Sequence, residues 1–171
     1  MKKVLLVVAQ NDYQPIEYSD TRSVLENSGV QVVMVSNQLG TAHSVQNYNS
    51  VEIDLSLEVT EVRQYDGLFF IGGPGALEYL DNEISYNLLQ VWQKTGKPYG
   101  AICISPRILA KAGVLKGKKV TGWNGDGKLE KILLDSGATY TKESVVRDGN
   151  VVTADGPQVA QEFGKKILEV L

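Results

Sequence analysis

One cysteine and one histidine in 171 residues are the chain's sharpest scarcities, and each closes off a class of function. A single thiol permits no internal disulfide, and one Cys with one His cannot supply a structural zinc site. A basic excess is missing too: 17 Lys and Arg stand against 20 Asp and Glu, for a net charge of −3. A nucleic-acid backbone would find no counter-charge on such a surface. No apolar run approaches the roughly 20 residues needed to span a bilayer. Met1-Lys2-Lys3 before Val4-Leu5-Leu6-Val7-Val8 has the order of a signal peptide. That run is short, and Gln10-Asn11-Asp12 follows without a small-residue cleavage site, which favours a first core strand. The thiol is then expected in a reducing cytoplasm.

What the chain does contain, 43% hydrophobic and 22% charged residues, is the composition of an ordinary soluble globule. Its length suits one domain over 1–171, able to bury about 70% of the surface its unfolded form exposes. Val4–Val8 and Val30–Val35 read as strands buried on both faces. A polar loop from Asn11 to Pro15 leads into a helix from about Ile16 to Asn27, closed by Ser28-Gly29. Between Thr41 and Leu57 the pattern becomes short and alternating, which predicts an antiparallel excursion at the edge of the main sheet. Gly67–Ile71 is the next parallel strand, followed by Gly72-Gly73-Pro74-Gly75 and a helix from about Tyr86 to Lys94. A central strand ends at Ile102, and a helix then runs through Lys111. Lys118–Gly122 predicts a short strand and Gly127–Asp135 a helix. Val145–Val152 reads as a hairpin around Asp148-Gly149, and Pro157 opens a last helix. With no internal repeat or linker, the pattern is that of a mostly parallel α/β domain with helices on both faces.

Ligands of such sheets bind at the carboxyl ends of the strands, and three features converge there. Cys103 stands between strand and helix, where a sharp turn would expose it and leave N–H groups free around it. Ala101 and Ser105, two before and two after, let backbone come close. Glu17 shares a helical face with Val24, Leu25 and Ser28, so its carboxylate would point inward, where dipole and burial act on it in opposite senses. Gly72-Gly73 is not a dinucleotide or phosphate loop, but its amides with that of Ile104 could hold an oxyanion. Arg107 is placed to lower the thiol pKa, and Tyr13, Tyr18 and Trp123 could line a pocket. Each residue also has a plain structural reading. A lone cysteine is commonly a small buried hydrophobe, a first-turn glutamate a solvent-facing one, Gly72-Gly73 an ordinary turn, Arg107 a surface charge, and the aromatics core. His43 lies in the irregular segment, with nothing to bring it to Cys103.

Phe70-Ile71-Gly72-Gly73-Pro74-Gly75-Ala76, Ala101-Ile102-Cys103-Ile104-Ser105-Pro106, the stretch from Leu109 to Thr121 and that from Asp148 to Pro157 together resemble the ThiJ/PfpI superfamily. The match covers nearly the whole chain in the right order. It implies a flavodoxin-like three-layer α/β/α sandwich of the class I glutamine amidotransferase-like type, usually dimeric. It also implies a nucleophile-elbow cysteine at Cys103, a glutamate partner at Glu17, and an oxyanion site at Gly72, Gly73 and the Ile104 backbone. The protease-like branch carries histidine after the cysteine, where this chain has Ile104. The loop Gly122-Trp123-Asn124-Gly125-Asp126 offers none either, so a peptidase triad lacks its base. The resemblance then implies a cofactor-free, metal-free glyoxalase- or deglycase-like enzyme for small reactive carbonyls, active in stress protection. A redox-sensing or chaperone-like protein with little catalysis is the alternative, and a cysteine peptidase the weakest. Both leading readings expect a thiolate at mildly acidic pH.

Overall fold

Continuous apolar runs build the centre of the molecule, a computed structural model that describes all 171 residues. The elements are β1 (Lys3–Val7), β2 (Asn11–Tyr13), α1 (Pro15–Asn27), β3 (Gln31–Ser36), β4 (Gly40–Ser44), β5 (Ser50–Ile53), β6 (Leu55–Ser56) and β7 (Gly67–Phe70). They continue with α2 (Pro74–Tyr79), α3 (Glu83–Gln93), β8 (Tyr99–Ile102), α4 (Pro106–Lys111), β9 (Lys119–Val120) and α5 (Leu129–Asp135). The chain ends with β10 (Thr139–Tyr140), β11 (Val145–Asp148), β12 (Val151–Ala154) and α6 (Ala160–Leu168).

The main sheet has seven strands in the order β11-β12-β8-β7-β1-β3-β6, all parallel except β11 against β12. Successive residues of a strand point to opposite faces, and the core divides accordingly. Leu5, Val7, Leu68, Phe70 and Ala101 pack under α3, α4 and α5 through Leu89, Trp92, Leu109 and Leu133. Val4, Leu6, Phe69, Ile102 and Val152 pack under α1 and α6 through Leu25, Phe163 and Ile167. This is a three-layer α/β/α sandwich, with no helix long and apolar enough to cross a membrane.

The sheet order sets the site. From β1 the chain moves to β3 on one side, and β7 and β8 lie on the other, so the order reverses between β1 and β7. A crevice opens outside the carboxyl ends at such a reversal. The segments that follow β1, β7 and β8 carry Glu17, Gly72-Gly73 and Cys103.

Several sequence expectations need correction. The polar loop after β1 contains β2, which pairs with β4 and turns Tyr13 fully inward. The antiparallel excursion is real as β4–β5, but it joins β2 in a separate three-stranded sheet, while the short β6 forms the main edge. α3 starts at Glu83, because Asn82 Oδ1 accepts the N–H groups of Ile84 and Ser85 at 3.1 and 3.3 Å as an N-cap. α5 starts at Leu129, after Gly127 at φ 70°. β7, not β8, is the middle strand of the seven.

Gly100 in β8 lies so close to β12 that a Cβ there would stand 1.8 Å from the Val152 carbonyl oxygen. Gly100→Ala must force the two strands apart. It is expected to cost about 3 kcal/mol in urea unfolding, at the upper end of overpacking effects. A loss below about 1 kcal/mol would contradict this packing.

Candidate active site

The Cys103 backbone is bent into the left-handed region, at φ 63°, where a residue bearing a Cβ is uncommon and costs of order 1 kcal/mol or more. The turn is held from three sides. The Cys103 N–H donates to the Ala154 carbonyl at 2.9 Å, and its own carbonyl accepts the Trp123 N–H at 2.7 Å. Ser105 Oγ, fully buried, donates to the Ile71 carbonyl at 2.7 Å. Sequence reasoning missed that last contact and the one from Ala154, since neither has a local signature.

Glu17 sits in the first turn of α1, where Gln14 Oε1 accepts its N–H at 2.8 Å. It is fully buried. Oε2 accepts the Gly72 N–H at 2.9 Å, and Oε1 has no hydrogen-bond partner. The Cys103 side chain is the neighbour of the carboxyl across Gly72. Gly72 lies between the two. A Cβ there would fall 2.6 Å from Cys103 Cβ and 2.7 Å from Glu17 Oε2, so only a hydrogen atom fits.

Burial raises the Glu17 carboxyl to about 7, although the thiol and the Gly72 N–H pull it down. Burial also raises the Cys103 thiol, and the Glu17 charge and hydrogen bond push it further, against the Gly73 and Ile104 N–H groups that lower it. The expected low-pKa thiol is therefore not what this environment gives: burial raises it first and Glu17 second. The expectation counted a helix N-terminus and Arg107 but neither the burial nor the carboxylate. With Glu17 protonated, that charge disappears and the carboxyl becomes a donor toward sulphur. The pair accommodates one negative charge, and its titration belongs to both groups.

The oxyanion assignment divides. The Gly72 N–H is engaged by Glu17, whereas the Gly73 and Ile104 N–H groups act on the thiol, favouring its charged form. Arg107 neither faces solvent nor approaches the thiol as a charge. It is buried, paired with Asp126 at 2.7 Å, and holds the Asp126 carboxyl down to about 2. Trp123 is part-exposed, with the Arg107 guanidinium 5.4 Å from its ring centroid. Tyr13 and Tyr18 make a T-shaped pair at 5.3 Å within the apolar cluster against which Cys103 packs. Their hydroxyls are engaged, Tyr13 donating to Asn49 and Tyr18 accepting from Arg22. His43 is exposed on β4. Asp126 was missed, though Asn124 and Asp126 just before a helix carry a cap signal: they accept the N–H groups of Leu129 and Lys128.

A surface groove of about 550 Å³ runs between residues 57–63 and α3 and includes none of these side chains. Size commonly marks a site, but this groove lacks convergent reactive groups, and chemistry weighs more here than volume.

Comparison with known proteins matches this chain to one family. The sequence profile described as the DJ-1/PfpI family matches residues 2–170. An uncharacterized protein of Methanocaldococcus jannaschii is 34% identical over 170 residues, 99% of this chain and 82% of that protein. The crystal structure of a ThiJ/PfpI domain protein from Brachyspira murdochii superposes with a TM-score of 0.91 at 26% identity, covering 98% of this chain and 95% of that one. A Toxoplasma gondii DJ-1 structure, described as oxidized, gives a TM-score of 0.84 at 26% identity over 99% of this chain and 90% of that one.

The buried carboxyl makes stability depend on pH in a defined sense. An unfolded glutamate titrates near ~4.3, so between that value and about 7 the folded protein keeps a proton that the unfolded chain has released. The stabilisation is complete below this window and is lost as pH rises through it. Glu17 is expected to remove about 3 kcal/mol between roughly pH 4 and pH 8. Glu17→Gln should flatten that fall in urea unfolding and be the more stable form at about pH 8. A profile parallel to the parent's would contradict a raised Glu17 pKa.

Proposed function

This chain belongs to the DJ-1/PfpI family, and from that premise we propose that it is a cofactor-free enzyme for small reactive carbonyls, with Cys103 as nucleophile and Glu17 as proton carrier. The observation that carries the reading is the buried Glu17 carboxyl and the part-buried Cys103 side chain meeting at Gly72, with the Gly73 and Ile104 N–H groups favouring the thiolate. Nucleophilic catalysis by cysteine needs a group to take the thiol proton and donors for the oxyanion. Glu17 and the Gly73 and Ile104 amides supply both without a histidine.

For a 2-oxoaldehyde the steps balance within the substrate. Sγ bonds to the aldehyde carbon, the thiol proton passes through Glu17 to the carbonyl oxygen, and a hemithioacetal results. Glu17 then moves the proton from that carbon to the adjacent ketone carbon through an enediol. The first carbon becomes a thioester as the second becomes an alcohol, so no external oxidant or reductant is needed. Water cleaves the carbon–sulphur bond, releasing a 2-hydroxy acid and the thiol. A carboxyl whose pKa lies near neutrality suits both transfers. This reading takes the active protein as a cytoplasmic homodimer with a role in stress protection.

The alternative is a redox-responsive protein, favoured by the part-exposed thiol beside an acid that can be neutral and by the relative described as oxidized. The sulphur would pass through sulfenic to sulfinic acid with peroxide as oxidant. A chaperone-like role with little catalysis goes with it. A cysteine peptidase ranks below both, because Ile104 stands where that chemistry would want a base.

Methylglyoxal supplied to the pure protein should yield lactate. Cys103→Ala should abolish turnover, and Glu17→Gln should lower it by at least about 100-fold, the scale of one general acid–base group. No lactate above the Cys103→Ala background, with selective sulfinic acid at Cys103 after mild peroxide, would replace the enzyme reading with the redox one.

A further inference from the structure

Arg107, Asp126 and Trp123 surround the carbonyl side of the Cys103 turn, and the proposed chemistry uses none of them. Arg107 is only 4% exposed. It donates through Nη1 and Nη2 to Asp126 at 3.0 and 2.7 Å, and from Nη2 to the Trp123 carbonyl at 3.3 Å. Its Nε is buried without a partner. Taking a guanidinium out of water costs several kcal/mol unless its fork is matched, and here the fork is matched by one loop. That loop is tied at its far end, where Asp126 Oδ1 accepts the Lys128 N–H at 3.1 Å. At its near end Trp123 donates to the Cys103 carbonyl at 2.7 Å.

We propose that Arg107 is a positioning residue for Cys103. Through Asp126 and the Trp123 carbonyl it fixes the loop at 122–127, so that the Trp123 N–H grips the Cys103 carbonyl and keeps the left-handed turn in place. The N–H side of the turn is anchored in the sheet by Ala154, but the carbonyl side depends on this loop. A residue with a Cβ at φ 63° relaxes if one anchor slackens. The Cys103 side chain then leaves its seat against Gly72 and Glu17. The proposal rests on the reading of Cys103 as the reactive group, and not on the identity of the carbonyl.

The test is alkylation of Cys103 by iodoacetamide across pH, in the parent and in Arg107→Lys, Asp126→Asn and, as a control on an exposed face, Lys131→Gln, with thermal melting in parallel. Lysine cannot reproduce the fork, and asparagine removes its counter-charge. Both variants are expected to alkylate at least about fivefold more slowly at neutral pH, with the midpoint of the profile moved up. Lys131→Gln should stay within about twofold of the parent. Unchanged rates and midpoints in Arg107→Lys and Asp126→Asn would overturn the proposal. So would faster alkylation, which would mean that the loop only shields the sulphur. Should Arg107→Lys fail to fold, Asp126→Asn decides, read with hydrogen exchange at the Trp123 amide. Exchange should quicken as reactivity falls, and quick exchange with parent-like reactivity overturns the idea. A parent that alkylates readily yet yields no lactate contradicts the carbonyl reading alone. A parent thiol inert at every pH overturns both.

Discussion

Two acidic groups that cannot comfortably ionise together, the Glu17 carboxyl and the Cys103 thiol, meet at the carboxyl ends of the parallel strands, and the surroundings are arranged to keep them together. Only a glycine at 72 lets them approach, since a methyl group there would overlap both. The Gly72 N–H fixes one carboxyl oxygen, and the other is left without a nitrogen or oxygen partner. Burial of the pair means that a charge on either group is felt by the other with little screening. What the fold provides at this point is less a thiolate than a thiol held protonated beside a carboxyl raised to about 7.

Keeping the sulphur there requires strain elsewhere. The left-handed Cys103 turn is tolerated because the sheet holds its N–H through Ala154 and a surface loop holds its carbonyl through Trp123. Ser105 ties the start of α4 back to Ile71, so the turn is fastened to β7 as well. Strain of this kind persists only where the surroundings over-determine it. The Arg107–Asp126 pair extends the same logic outward: a buried cation whose Nη1 and Nη2 are both matched by the loop that holds the carbonyl.

Much of this was legible before any coordinates. Apolar runs at Val4–Val8 and Gly67–Ile71 fix the parallel strands, because only a sheet covered on both faces hides such runs. The inward face of Glu17 follows from its spacing to Leu25. The strand-to-helix junction at Cys103 follows from the change in pattern around it. Other features depend on contacts far apart in sequence. Pairing of β2 with β4 turned a polar loop into a strand with Tyr13 buried. Arg107 could not be assigned without Asp126, 19 residues away. The direction of the thiol shift needed the burial of Cys103 and then the carboxyl's position, since a helix N-terminus and an arginine argue for one sign and desolvation and a neighbouring carboxylate for the other.

The coupling of the two groups is open to direct measurement through the side-chain carboxyl carbon of Glu17, followed by carbon-13 NMR as pH is varied. The account predicts a carboxyl that is still protonated in mild acid and titrates near about 7, with a midpoint that moves when Cys103 is replaced by alanine, because the two groups titrate as one system. A midpoint in the ordinary carboxylate range near ~4.3, unmoved by loss of the thiol, would contradict it.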